Sequence, residues 1–281
     1  MAAVDTMTAR EQGPATLATG VSRPVLRFLN LFQSSWVIRL LTLAVILTGW
    51  EVFGRRTSTV TFASVSRTWN ALWDLTVSGD LWKAWRSDLA IMFTALAISA
   101  VAGIVLGFVM GRYRSIDNTV EPVFVGVFMT PKIALLPIIA LWLGYQFNAK
   151  VLIVILFSFF EIFFTVRDGI KVTNAEYVDV ARAYSIPEGM MLTKIIAPAT
   201  APYIITGLRL GLLHGMVGVV LAGFFLEANG IGGLISNQTN EFRMHTTFAG
   251  MLTVMAVGVA INLALRLLER WVTPWSIKDT P

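Results

Sequence analysis

Residues 89–110 read LAIMFTALAISAVAGIVLGFVM, a run without a single formal charge. A helix of about 20 apolar residues matches the hydrocarbon thickness of a bilayer, whereas a helix on a soluble core keeps a polar stripe. Working outward, five more apolar stretches lie at 36–53, 119–144, 151–166, 203–226 and 248–268. The stretch 151–166 is short and carries Glu161, which makes it the poorest fit. The stretch 119–144 is interrupted by Pro122, Pro131 and Pro137, so a kinked helix is expected there. The expected fold is all-α, a polytopic bundle of about six transmembrane helices. A tail (1–35) precedes the first span and an amphipathic outer segment (36–88). A membrane core (89–271) and a second tail (272–281) complete the chain.

Composition agrees. Of 281 residues, 56% are hydrophobic and 14% charged, and mean hydropathy is +0.69. Soluble domains carry about 25% charge. The absence of cysteine excludes disulfides, thiolate metal sites and a cysteine nucleophile. Two histidines, His214 and His245, without an H-E-x-x-H motif leave little room for a zinc enzyme. The net charge of +5 sits mostly between apolar runs, so it reads as a membrane-orientation signal rather than a nucleic-acid surface.

The first 35 residues are polar and hold Arg10, Arg23 and Arg27 with no early apolar core, so the first span is expected to be an uncleaved anchor. With the N-terminus inside, the inner segments gather most lysine and arginine, and both termini are expected to be cytoplasmic. The segment 54–88 runs against this trend with Arg55, Arg56, Arg67, Lys83 and Arg86. There Trp69, Trp73, Trp82 and Trp85 interleave with charged residues, as suits either a helix along the membrane surface or one packed on the bundle.

Small residues recur every fourth position at Ala95, Ser99, Gly103, Gly107 and Gly111, and again at Gly207, Gly211 and Gly215, with Gly223 further on. Such stripes let helix backbones approach closely, which matters where lipid offers no hydrophobic drive between helices. The two striped spans are expected to form the tight centre of the bundle, against each other.

The connection 167–202 is too polar to span. Thr173-Asn174-Ala175-Glu176 and Ser185-Ile186-Pro187-Glu188 both have the S/T-x-x-E form of a capping box, predicting two short helices that break near Tyr184–Ser185. Within the first, about 175–184, Tyr177, Val180, Ala181 and Tyr184 can share a face. A helix this short needs a packing partner, either the bundle or a second protein.

Asp179-Val180-Ala181, then Ser185, then Ile195-Ile196-Ala197-Pro198 resembles the E-A-A-x3-G-x9-I-x-L-P loop of bacterial ABC-importer permeases. Aspartate replaces glutamate, Val180 the first alanine, Ser185 the glycine and Ala197 the leucine. Serine can cap the second helix, so the turn is expected to persist. Thr130-Pro131-Lys132-Ile133-Ala134-Leu135-Leu136-Pro137 with Leu141-Trp142-Leu143-Gly144 resembles the third-span motif of the nitrate/sulfonate/taurine/bicarbonate branch. So do Ala181-Arg182-Ala183-Tyr184, Thr206-Gly207-Leu208-Arg209, Asn229-Gly230-Ile231-Gly232 and Leu267-Leu268-Glu269-Arg270-Trp271. The order and spacing of these motifs carry the resemblance over about 89–271.

The resemblance implies a type I importer permease in the bacterial inner membrane, working as a homodimer with two cytoplasmic ABC ATPases and a periplasmic or lipid-anchored solute-binding protein. ATP and Mg would bind on the ATPase and no cofactor on this chain, which has no G-x-x-x-x-G-K-[ST] phosphate loop. The implied ATPase-coupling residues are Glu176, Tyr177, Asp179, Val180, Ala181, Arg182, Tyr184, Ser185 and Pro198.

Lys132, Glu161, Arg209 and His214 lie within or near apolar spans, where ionisable groups are costly and face a partner, the bundle interior or an aqueous path. They are the candidates for a translocation path, with Lys132 best placed to attract an anion. A Glu161–Arg209 ion pair is the structural alternative. Glu227 suits either a cap at the outer surface or a contact with the binding protein. A stand-alone secondary transporter or channel also accommodates intramembrane charges, but leaves the loop motif without a purpose. A membrane enzyme would need a nucleophile–base spacing that these scattered acids do not form.

Overall fold

The computed structural model describes residues 35–226 and 229–272, without the side chains of residues 35, 173–180, 182, 268 and 270–272. Among the described residues the chain is helical and holds no strand. The helices are α1 (Ser35–Arg56), α2 (Val65–Val77), α3 (Asp80–Arg112), α4 (Arg114–Met129), α5 (Leu136–Leu143), α6 (Phe147–Ala183), α7 (Glu188–Met191), α8 (Ala197–Leu226), α9 (Ile231–Asn240) and α10 (Met244–Val272). A short 3₁₀ turn, Lys132–Leu135, precedes α5, and a π turn, Leu192–Ile196, joins α7 to α8. The chain divides into two compact units, Met1–Trp50 and Glu51–Pro281, and the second holds α2 to α10.

Among the described residues, five segments are long and apolar enough to cross a membrane: Trp36–Arg56, Asp80–Arg112, Phe147–Val172, Glu188–Leu226 and Met244–Leu267. A sixth exists only as a broken span, Arg114–Met129 with Lys132–Leu143, whose two halves meet at 81°. The expected kink at 119–144 is therefore a break, and it falls at Thr130–Pro131, where proline restricts the preceding residue and withholds an amide. The fourth stretch, the poorest fit from sequence, is in fact the heart of the longest helix, because its polar flanks continue helically at both ends.

The glycine stripes do not pack against each other. Both close on α6, one from each side. A Cβ built on Gly103, Gly107 or Gly111 of α3 would meet Ile162, Phe163, Arg167 or Ile170 of α6 at 2.8–3.2 Å. One on Gly207, Gly211 or Gly215 of α8 would meet Ile162, Thr165 or Ser158 of the same helix. The ascending matches make α3 parallel to α6, and the descending ones make α8 antiparallel. Ala95 and Ser99 continue the α3 stripe and are fully buried. A helix with two neighbours at backbone distance has Ile153, Ile162, Phe163, Val166 and Ile170 wholly enclosed. This sandwich sets the two ends of the unit. The ends of α3 and α6 and the start of α8 lie together at one end, and the beginnings of α3 and α6 lie with the end of α8 at the other.

Candidate functional site

Helix α6 links the two halves of the candidate site. Its residues Phe157, Glu161 and Thr165 are spaced by four and so form one stripe. Beside Phe157 stands Lys132, from the break between α4 and α5, with its ammonium 5.6 Å from the Phe157 ring centre and 4.5 Å from that of Phe128. These are cation–π distances, favourable where water is scarce. Beside Glu161 stands His214 of α8, whose Nδ1 is 3.7 Å from Oε1 of Glu161 and 3.1 Å from the Leu210 carbonyl oxygen. The His214 side chain is about half exposed (48%), although it lies midway along an apolar span. Three of the four sequence candidates thus come to one face of α6.

Arg209 goes elsewhere. Its guanidinium donates to Asn262 Oδ1 at 2.9 Å and to Glu269 Oε2 at 3.5 Å, both on α10. The expected Glu161–Arg209 pair is not formed, because Arg209 and His214 point to different sides of α8 and it is His214 that reaches Glu161. Glu227 lies outside the described residues.

At its other end α6 runs without interruption through 173–183, so the first expected short helix is the end of α6 and not a separate element, while the second is present as α7. Thr173–Glu176 cannot act as a capping box there, since the helix does not begin at that point. The break itself falls where expected. The helix ends at Ala183, Ser185 adopts φ +51°, and the Ile186 amide donates to the Ala181 carbonyl at 3.0 Å. Together these make a Schellman cap, in which the left-handed position is normally glycine. Ser185 therefore takes the backbone conformation of the missing glycine instead of capping the next helix. The cap residue of α7 is Pro187, with no side-chain cap bond.

Ile186 packs against the buried cluster that contains Ile170, Ala181, Met191 and Ile196, closing the cap with apolar contact. Ala181 is 1% exposed and Tyr184 is 78% exposed, so these two do not share a face. Tyr184 is the elbow's outward side chain. The side chains of Glu176, Tyr177, Asp179, Val180 and Arg182 lie outside what is described. Pro198 removes an amide from the start of α8, one turn after the Lys194 carbonyl, and the π turn before it absorbs the altered register.

Two polar networks escaped the sequence reading. Near the elbow end, Arg167 of α6 lies 3.5 Å from Asp117 and 3.0 Å from Glu121 of α4, while Lys171 also contacts Asp117. Each helix contributes a pair spaced by four, which was a visible signal. Arg112, at the end of α3, pairs with Glu188 at 2.7 Å and ties the second span to α7. At the opposite end, buried Asp88 of α3 accepts from the Ile231 amide at 2.7 Å, and buried Lys150 of α6 donates to the Asn229 carbonyl at 3.2 Å. The Asn229–Gly232 motif is held there by backbone proximity. A Cβ on Gly230 (φ +103°) would strike Asp88, and one on Gly223 would meet the Gly232 Cα at 2.8 Å.

Comparison with known proteins gives this arrangement a family. Residues 99–275 match the family described as binding-protein-dependent transport system inner membrane component. The chain is 31% identical, over 69% of its length and 77% of the other chain, to the formylaminopyrimidine transport permease protein ThiX of Halalkalibacterium halodurans. It is 26% identical, over 69% of its length and 71% of the other chain, to the taurine transport system permease protein TauC of Escherichia coli. A Bacillus subtilis chain provisionally named aliphatic sulfonates transport permease protein SsuC is also 26% identical, over 85% of this chain and 88% of its own. The chain belongs to the inner-membrane components of binding-protein-dependent transport systems and is an ABC-transporter permease subunit.

Proposed function

We propose that this permease carries a small anion inward, of the nitrate, bicarbonate, sulfonate or taurine class, along the face of α6 that bears Lys132, Glu161 and His214, and that its elbow at residues 179–185 docks a cytoplasmic ABC ATPase. The observation that carries the reading is the continuity of α6. One continuous helix of 37 residues, about 55 Å long, bears the polar face at mid-span and ends in the elbow. A displacement of the elbow by the ATPase is thereby delivered to the residues beside the path. A ligand that moves a bistable element at one site and changes access at another is allosteric coupling.

A half-exposed histidine beside a carboxylate at mid-span does not face lipid, where such groups are costly. That face therefore belongs to water or to a second copy, and a homodimer would line the path with it twice. Lys132 supplies the positive charge that favours an anion, and the relatives named for taurine and aliphatic sulfonates favour the sulfonate side of the class. The elbow end, with Arg112, Arg114, Arg167, Lys171 and Lys194, matches the cytoplasmic side under the positive-inside rule, with both termini cytoplasmic. The solute is delivered to the opposite end by a periplasmic or lipid-anchored binding protein.

The test is Lys132→Ala, reconstituted with the partner ATPase and binding protein. Uptake of the anion is expected to fall at least tenfold while assembly and basal ATP hydrolysis persist. Wild-type uptake by this variant would remove Lys132 from the path.

A further inference from the structure

Helix α2 follows the first span after a turn of eight residues, and it is pinned at its start by Glu51. That carboxylate accepts from the Ser66 amide at 3.0 Å and from the Ser66 hydroxyl at 2.8 Å. One side of α2, with Thr68 and Ala71, is buried against α10. The other side is unusual for an exposed surface. Trp69, Trp73 and Val77, spaced by four, are 64%, 66% and 70% exposed, and Trp82 at the start of α3 is 70% exposed.

The fourth tryptophan of this region behaves differently. Trp85 is buried and donates its indole N–H to Thr253 at 3.3 Å. Among the described residues, no protein group accepts from the indoles of Trp69, Trp73 or Trp82. A tryptophan with an open ring and an unpaired N–H wants one end in an apolar medium and the other beside polar acceptors.

Three observations select the occupant. The helix lies at the end of the unit opposite the elbow, beside the start of α3, where Asp80, Lys83, Arg86 and Asp88 give way to the uncharged run 89–110, the pattern expected at a membrane–water boundary. The outward surface of α2 is divided: at 100° per residue, Arg67 and Asp74 fall about 100–120° round from Trp73, so an aromatic flank adjoins a charged one. The charges here are Arg55, Arg56, Arg67, Lys83 and Arg86 against Glu51, Asp74 and Asp80, with Arg55 paired to Glu51, which leaves an excess of cations that suits anionic headgroups.

We propose that α2 is an interfacial anchor, lying along the leaflet opposite the elbow with Trp69, Trp73 and Trp82 seated in the headgroup–acyl boundary and Arg67 and Asp74 turned to water. The indole N–H groups then donate to lipid ester and phosphate oxygens. The anchor fixes the height of α3 and α10 in the bilayer while the elbow end moves. This placement needs the spans to be in a membrane and is independent of which solute is carried.

The absence of native cysteine makes the test direct. Nitroxide labels are placed singly at Trp73→Cys, Val77→Cys, Arg67→Cys and Asp74→Cys in the full chain. The protein is reconstituted in phosphatidylethanolamine–phosphatidylglycerol vesicles, and collision with oxygen is compared with collision with a water-soluble nickel chelate. Labels at 73 and 77 are expected to favour oxygen several-fold and to report a depth of roughly 5–10 Å. Labels at 67 and 74 should favour nickel. Equal nickel access at all four positions would overturn the proposal. So would exclusion of both reagents at 73 and 77, with dipolar broadening between labels, which would give this face to a second copy. Vesicles with and without added solute-binding protein separate the last occupant, since loss of nickel access only on its addition also counts against lipid.

Discussion

The clamp on α6 makes a quantitative prediction. Adding a methyl group at Gly107 puts a Cβ 2.9 Å from the Phe163 carbonyl oxygen, 3.1 Å from Val166 Cβ and 3.2 Å from the Arg167 amide nitrogen. Two of these three atoms are backbone and cannot rotate away. The helices must separate by a few tenths of an ångström along a seam that Gly103 and Gly111 share. Overpacking of this kind costs about 1–3 kcal/mol, and replacing helical glycine by alanine returns about 1 kcal/mol. The net expectation for Gly107→Ala is a loss of roughly 0–2 kcal/mol, centred near 1. Gly126 of α4 is the matched control, because a Cβ there meets nothing within 4 Å. Gly126→Ala should keep the propensity gain, which opens a difference of about 2 kcal/mol between the variants. Thermal unfolding in one detergent, followed by size-exclusion of a fluorescent fusion, reads that difference as several degrees. Equal midpoints, or a higher midpoint for Gly107→Ala, would refute the clamp.

The Schellman cap predicts that Ser185→Gly is neutral or stabilising by about 1 kcal/mol, while Ser185→Val loosens the elbow, read by protease cleavage near residue 185. In the charge ladder, Arg167→Met should destabilise by about 3 kcal/mol, because it leaves Asp117 buried beside one remaining cation. Lys171→Met, whose side chain is 36% exposed, should cost less than half as much; chemical unfolding of both variants in the same micelle gives the order. Tyr184→Ala should leave the unfolding midpoint unchanged and weaken ATPase co-purification. Ala181→Trp should instead lower the midpoint, since Ala181 is enclosed.

Much of this architecture could be read from the chain because lipid leaves few options for an uncharged run of twenty residues. The break at Pro131, the turn at Tyr184–Ser185 and the glycine stripes were all visible as local chemistry. What the stripes pack against was not, because a four-residue repeat names a face and not its neighbour. The continuity of α6 through Thr173–Glu176 was missed for a related reason. A capping box has meaning only where a helix starts, and tertiary support from Ile170 and Ala181 carried the helix through it. The Glu161–Arg209 pairing failed because Arg209 has Asn262 and Glu269 within reach on α10, a contact between positions more than fifty residues apart. Lys132, Glu161 and His214 come together only because Phe157 and Glu161 sit one turn apart on a helix flanked by both partners.

The central claim is that the elbow delivers ATP-driven motion to the face bearing Lys132. It is tested most directly by purifying the tagged chain carrying Ala183→Cys, at an exposed position beside Tyr184, from its own host, and measuring which protein co-purifies and cross-links to that residue. The expected result is an ABC ATPase joined at position 183, with hydrolysis that loses its stimulation when residues 179–185 are replaced by a flexible linker. Solute transport by the chain alone in vesicles, with no ATPase present or cross-linked, would contradict it.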